Sequence, residues 1–251
     1  MPVALLVLFG AVILSVSGTL LIHRCSRERS FDHNALIGYF LSAVGAFYSF
    51  LLAFVVVSAW SNMNATQNNI YDEASALPGI YYDSTVFPED QQKGLQKGVI
   101  DYAQLVISDE WPAMGKGGSS AKVDAVAGTL RKSVLSVQPQ NAQQQALYSV
   151  MLGHLSKLNS DRRWRLNRAQ PAIPPMFWAA LVGGGVAVGI VPMFFHARRR
   201  MLHAALMATL NLMVAASLLL AHGMDQPFAG IIQVEPDAFR LALVQMGQHG
   251  P

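Results

Sequence analysis

The sequence predicts an all-α integral membrane protein: four transmembrane helices, with a helical water-facing region between the second and the third. Three observations carry this. The chain is 52% hydrophobic and only 13% charged, against roughly 25% charged in an ordinary soluble domain. Four apolar runs, at residues 3–22, 34–60, 176–195 and 202–221, are long enough as helices to cross a hydrocarbon core about 30 Å thick. Between the second and third runs, residues 61–170 are polar and show helical periodicity. The expected layout is one membrane domain over residues 1–251, with a tail at 222–251.

The first run, Val3 to Ile22, is followed by His23, Arg24, Arg27 and Arg29. A cleaved signal places its positive charge before the apolar core and small residues after it. Here only Met1 and Pro2 precede the core, so the run is expected to remain as a span. The single cysteine, Cys25, excludes an intramolecular disulfide framework and a cysteine-based metal site.

The second run, Asn34 to Trp60, carries no charge and has two unlike faces. At about 100° per residue, Gly38, Ser42, Gly45, Ser49 and Ala53 share one stripe, while Phe47, Phe50 and Phe54 gather roughly 130° away. The small stripe is expected to pack closely on another helix. The phenyl face meets lipid, another helix or a pore, and the residues alone leave those three open. Asp32 or Asn34 can cap the start. Beyond Trp60 the same helix is expected to run into water through Asn62, Gln67, Asp72 and Glu73, then bend or end at Pro78-Gly79.

Residues 80–170 read as water-facing helices. Pro88-Glu89-Asp90 marks a helix start. Leu95, Val99, Tyr102 and Val106 recur toward Trp111-Pro112, where that helix is expected to stop. Met114 to Ser120 is glycine-rich, but its Gly-Lys pair lacks the spacing and the preceding strand of a phosphate loop, so it reads as a linker. Helices follow at about 120–135 and 142–168. The second of these has Leu147, Met151, Leu155 and Leu158 as an apolar stripe and ends in Arg162, Arg163, Arg165 and Arg168. That basic end is expected to be solvated and matched to the helix dipole, with lipid headgroups within reach.

Pro171, Pro174 and Pro175 mark re-entry into the membrane. The third span holds Gly183 to Gly185 and Gly189, and the Gly185/Gly189 pair permits close helix approach; Pro192 is expected to bend its end. After His196, Arg198, Arg199 and Arg200 comes the fourth span. Asn211 lies near its middle, where its amide is expected to bond across to another helix. The tail has a short apolar piece, Ile231 to Val234, and a helix from Pro236.

The net charge of +3 and a pI near 9.1 do not indicate a nucleic-acid partner, because the basic residues sit beside the apolar runs. Arg24, Arg27, Arg29, Arg198, Arg199 and Arg200 fall in the two short interspan loops, against Arg162, Arg163, Arg165 and Arg168 on the other side. The positive-inside rule thus places the short loops in the cytoplasm and the helical region outside it.

Leu52-Ala53-Phe54 ahead of Trp60, Glu73-Ala74, Tyr102, Glu110-Trp111-Pro112, and Asp225-x-Pro227-Phe228-x-Gly230 followed by Pro236 and Phe239 form an ordered set. With the two-plus-two arrangement of spans, they resemble the bacterial bestrophin-like family over essentially the whole chain. The resemblance implies the bacterial inner membrane and a homo-oligomer, five-fold in true bestrophins. It also implies an ion pore lined by the second span, with Phe47, Phe50 and Phe54 as candidates for a hydrophobic neck. The helical region of true bestrophins is cytosolic, opposite to the placement the arginines give. Eukaryotic members follow the Pro-Phe segment with an acidic calcium-binding run; here Asp225, Glu235 and Asp237 are too few and scattered for calcium's multi-oxygen shell.

Enzymatic motifs are absent: no His-Glu-x-x-His, no Gly-x-Ser-x-Gly and no Cys/His metal spacing. No metal or cofactor is expected. The neighbouring acids Asp72-Glu73 and Asp109-Glu110 are expected to be solvated or at helix ends, since adjacent helix positions face apart. The expected partners are therefore the lipid bilayer, further copies of the chain and ions. The alternative is a non-conducting membrane scaffold or sensor whose helical region binds another protein.

Overall fold

The computed structural model describes residues 2–25, 32–195, 199–229 and 232–247. Arg27, Arg29, His196, Arg198, Gly230 and Ile231 lie outside these residues. Among the described residues the structure is helical throughout, with no strand. In order, the helices are α1 (Pro2–Cys25), α2 (Asp32–Asp83), α3 (Glu89–Leu105), α4 (Trp111–Met114), α5 (Ala121–Leu135), α6 (Ala142–Asn167), α7 (Pro175–Ile190), α8 (Arg200–Asp225) and α9 (Asp237–Gln245). The chain divides into two compact units, Met1–Ser61 with Ala172–Asp225 and Asn62–Pro171 with Gln226–Pro251.

The first unit holds the apolar helices. By length and composition α1, α2, α7 and α8 can each cross a membrane. A 3₁₀ turn, Val191–Phe194, begins where Pro192 cannot continue the α-helical ladder of α7. Helix α1 packs along α8, and α7 packs on α8 as well.

Glycines set how close these helices come. A Cβ on Gly189 would overlap the Asn211 side chain of α8. The Asn211 amide donates to Ser15 Oγ on α1 at 3.0 Å, to the Gly189 carbonyl at 3.4 Å and to the Met207 carbonyl at 3.0 Å. Three helices therefore meet on one amide, which hydrocarbon would otherwise leave costly to bury.

The small stripe of α2 behaves differently from its expected role. Ser42 and Ser49 are exposed and return their hydroxyls to the Gly38 and Gly45 carbonyls of their own helix. A Cβ on Gly45 would meet nothing within 4 Å, and one on Gly38 would make only ordinary contact with Phe195. What α2 lays on the glycines of α7 is Tyr48. A Cβ on Gly184 would stand 2.6 Å from the Tyr48 ring, and one on Gly185 2.8 Å from its hydroxyl. The fit is a large ring set into a glycine gap, which buries more apolar area than two small faces would.

The second unit is a helical domain with its own core. Leu77, Ile80, Leu95, Val99, Leu130, Met151 and Phe239 are among its fully buried side chains. Ser120 and Asn141 cap α5 and α6 by accepting from the amides of Val123 and Gln144. Helix α2 does not end at Pro78 but continues to Asp83. Proline forfeits one ladder bond; against that loss stand the buried flanking side chains Leu77 and Ile80, and the packing of α6 on Gly79. A Cβ there would come within 2.7 Å of the His154 ring, so only glycine admits α6 this closely.

A polar seam binds α2 to α6. Arg168 donates to Asn62 Oδ1 at 2.6 Å, Asn69 to the Asp161 carbonyl at 2.7 Å, and Lys157 pairs with Asp72 at 3.0 Å. Numbers rise along one helix as they fall along the other, so the two run antiparallel.

Candidate functional site

Two features of these units bear on function. On α2, Phe47, Phe50 and Phe54 are 73%, 75% and 61% exposed in the single chain. They form a bulky apolar face turned away from Tyr48, which is buried. Each is a large hydrophobic side chain left for something outside the chain to cover.

The helical unit holds a buried ion cluster. It is built where three apolar stripes run on into charged residues. On α2, Thr66, Ile70, Glu73, Leu77 and Ile80 alternate four- and three-residue steps, and all are buried. On α6, Met151, Leu155, Leu158, Arg162 and Arg165 do the same. On α3 the buried set is Tyr102, Val106, Glu110 and Met114, at uniform four-residue steps. Each such step over-rotates an α-helix by about 40°. The π turn at Val106–Glu110 absorbs the excess by widening one turn, and so keeps Glu110 pointing inward. For the same reason Trp111-Pro112 does not stop the helix but opens its last turn, α4, with proline near the N-terminus where its missing N–H costs nothing.

Glu73, Glu110 and Arg165 are all 0% exposed. Arg165 donates Nε to Glu73 Oε2 at 2.7 Å and Nη2 to Glu73 Oε1 at 2.9 Å and Glu110 Oε2 at 2.7 Å. Its Nη1 points to the Met114 sulfur at 3.1 Å. Arg162 donates Nη2 to Glu110 Oε1 at 2.5 Å and pairs through Nη1 with Asp124 at 2.8 Å. The Tyr102 hydroxyl donates to Glu73 Oε1 at 2.7 Å. Around Arg165 stand the rings of Trp111 and Phe239, with centroids 5.7 and 5.6 Å from the guanidinium carbon. Two carboxylates face two guanidiniums, so the cluster is neutral and its hydrogen-bonding capacity is well used, as burial demands.

The expected solvated end of α6 is thus corrected: Arg162 and Arg165 lie in the core, and Arg168 is partly buried, stacked 5.0 Å over the Trp164 ring. Glu73 and Glu110 are likewise interior, because their neighbours Asp72 and Asp109 take the outward positions. Asp109 accepts from Ser120 Oγ and from Lys122 Nζ, the latter at 2.8 Å. A carboxylate of the chain itself therefore bonds the capping serine at the start of α5, beside the glycine-rich linker.

Burial pushes the Glu110 carboxyl up, but hydrogen bonds from Arg162 and the charge of Arg165 outweigh it and hold it below its ordinary 4.5. Burial lowers both guanidiniums, yet hydrogen bonds and charge from Glu110 for Arg162, and charge and hydrogen bonds from Glu73 for Arg165, raise them overall, and they stay ionised. Burial, then the Glu73 charge, lifts Tyr102 well above 10.0. A depressed carboxyl contributes stability that is lost as pH falls through its folded value, and a raised phenol contributes stability that is lost as pH rises past its unfolded one. The thermal midpoint of the helical unit should therefore be flat across neutral pH, falling below 4.5 and again above 10.0. Circular dichroism melts across pH test this.

The remaining motif residues fall into both units. In the helical unit, Trp111 donates its indole N–H to the Val234 carbonyl at 3.2 Å and makes edge contacts with Phe228 and Phe239, at 5.3 and 6.1 Å between centroids. The Pro227 carbonyl accepts from the Val234 amide at 2.9 Å. In the membrane unit, Asp225 is buried at the end of α8. Its Oδ1 accepts from the amides of Ala172 and Ile173 at 2.9 and 2.8 Å, and its Oδ2 from the Trp178 indole at 3.1 Å. One carboxylate thus ties the end of the fourth span to the approach and first turn of the third. Asp225 and Phe228, three residues apart in one motif, anchor different units. Among the described residues no group of three or more His, Cys, Asp or Glu side chains is placed to hold a metal.

The chain's fold has solved relatives. A crystal structure of a bacterial bestrophin homologue from Klebsiella pneumoniae superposes with a TM-score of 0.75 at 11% identity, covering 96% of this chain and 99% of that one. A single-substitution variant of the Klebsiella homologue also reaches 0.75, at 10% identity over the same shares. A membrane protein crystallised with another single substitution scores 0.71 at 12% identity, covering 100% and 99%. No match is found among curated proteins. The multi-pass, all-helical architecture is thus that of the bacterial bestrophin homologues. The bestrophin-like domain family matches residues 9–239, and with the Glu-Trp-Pro and Asp-x-Pro-Phe motifs both built into the packing, the chain belongs to the bestrophin-like family.

Proposed function

We propose that the chain assembles into a homo-oligomeric ion channel in the bacterial inner membrane, with an axial pore lined by α2 and narrowed by Phe47, Phe50 and Phe54. The observation that carries this reading is the exposed phenyl face on a span whose other side is engaged by Tyr48 on α7. A ring of such side chains around an axis closes to ions by excluding water. The bestrophin-type fold supports the assembly, and a ring of five follows the family resemblance. No charge lies within Asn34–Trp60, so the neck acts as a gate and not as a charge filter.

Purified protein in liposomes should pass ions, and Phe54→Ala should raise the flux roughly tenfold, equivalent to about 1.4 kcal/mol of barrier. No flux from wild type or variant, with the phenyl face labelled by a lipid-borne crosslinker, would leave the scaffold reading in its place.

The helical unit is proposed to lie outside the cytoplasm. Of the four arginines that argue against this, Arg162 and Arg165 are paired with buried carboxylates, while Arg24, Arg199 and Arg200 belong to the short-loop side. Alkaline phosphatase inserted at Ser119, in the exposed linker, should be active and green fluorescent protein there dark. The opposite pair of signals reverses the placement.

A further inference from the structure

We propose that a groove in the membrane unit, between α2 and α8, is a binding site for a lipid-soluble carbonyl compound of the tailed-quinone class, held by the Tyr48 hydroxyl. The groove encloses about 350 Å³, within the range of small-molecule sites. Gly45 and Leu52 of α2 form one wall, Leu210 and Val214 of α8 the other, and Tyr48 and Val188 also line it.

Three hydroxyls border this space. Ser49 bonds the Gly45 carbonyl at 2.7 Å and Ser217 the Met213 carbonyl at 2.9 Å, each within its own helix. The Tyr48 hydroxyl has no hydrogen-bond partner although its residue is only 4% exposed. It sits beside Gly185 and Val214, and Val214 itself lines the groove. A phenol buried in hydrocarbon without a partner is costly, and a bound acceptor removes that cost.

Depth selects the acceptor. Tyr48 lies about 21 Å along the helix from Asn34, near the middle of the apolar run. Phospholipid carbonyls lie at the edges of the hydrocarbon core, roughly 15 Å from its centre, and an acyl tail offers no acceptor. A quinone ring brings two carbonyls into the hydrocarbon layer on an apolar tail, and the apolar walls suit both ring and tail. At 100° per residue the groove face is roughly opposite the phenyl face of α2. The ligand therefore enters from the bilayer, whether or not the phenyl face lines a pore.

The test uses the full chain in detergent, with a decyl-substituted benzoquinone as probe and decylbenzene as the tail-matched control. The quinone should bind saturably and raise the thermal midpoint. Tyr48→Phe should weaken it roughly five- to tenfold, the worth of one hydrogen bond, and leave decylbenzene unchanged. Without ligand, Tyr48→Phe should melt no lower than wild type, since the hydroxyl it removes has no partner. Gly45→Leu should fill the groove and abolish quinone binding. Unsaturable quinone uptake, equal quinone affinity in Tyr48→Phe, or a lower ligand-free midpoint in that variant overturns the proposal.

Discussion

Replacing Arg165 by alanine is expected to unfold the helical unit near ambient temperature. The change leaves Glu73 and part of Glu110 as buried carboxylates without their main counter-charge, and breaking such a pair from one side costs about 3–5 kcal/mol. Ordinary domains are stable by only about 5–15 kcal/mol, so the loss takes a large share. Arg165→Lys should rescue little. One ammonium cannot reproduce donation to both oxygens of Glu73 and one of Glu110, nor stand as a plane between two aromatic rings. Arg165→Met paired with Glu73→Gln and Glu110→Gln should recover more of the midpoint than Arg165→Lys, because it removes the buried charges together. As a contrast, Lys93→Ala breaks an exposed pair with Glu89 and should move stability by less than about 1 kcal/mol. Thermal melts of the four proteins order these expectations, and equal midpoints for Arg165→Ala and Lys93→Ala would refute the cluster's role.

The second large effect is expected at Asp225. Alanine there strands the amides of Ala172 and Ile173 and the Trp178 indole, three donors that now share one carboxylate. Each buried donor left unpaired costs about 1–3 kcal/mol; partial access to water for some of them brings the total to about 3 kcal/mol. The loss should be local. Amide exchange should rise at residues 172–178 while the core around Leu95 and Met151 keeps its protection. Asp225→Asn keeps one carbonyl acceptor, so it should fall between wild type and alanine. Uniform exchange across the chain in Asp225→Ala would contradict this local account.

The four spans were legible because an uncharged run of about 20 residues has few other uses. The ion cluster was not, although its signal was present. Arg162 and Arg165 extend the stripe Met151, Leu155, Leu158 in the same four-three rhythm, so they belonged to the buried face despite their charge. Glu73 and Glu110 were hidden by Asp72 and Asp109, whose adjacency invited one environment for each pair, whereas a helix sends neighbours about 100° apart. The inward aim of Glu110 also depends on a π turn, which no apolar period marks. On α2, small residues shared a stripe in sequence, yet the contact with α7 went to Tyr48. Helical spacing identifies which residues share a face, but complementarity with the partner's surface decides which face is used.

Asn211 also bears on how the protein is made. Its bond to Ser15 joins positions 196 residues apart, and α1 takes α8 as its main neighbour. At roughly 5–20 residues per second of synthesis, about 10–40 s pass between the two. Through that interval the first span waits in the bilayer as an apolar helix whose serine has only its own backbone to bond. The membrane unit therefore closes late, first helix against last, and a ribosome halted before Arg200 leaves an inserted but unfinished bundle.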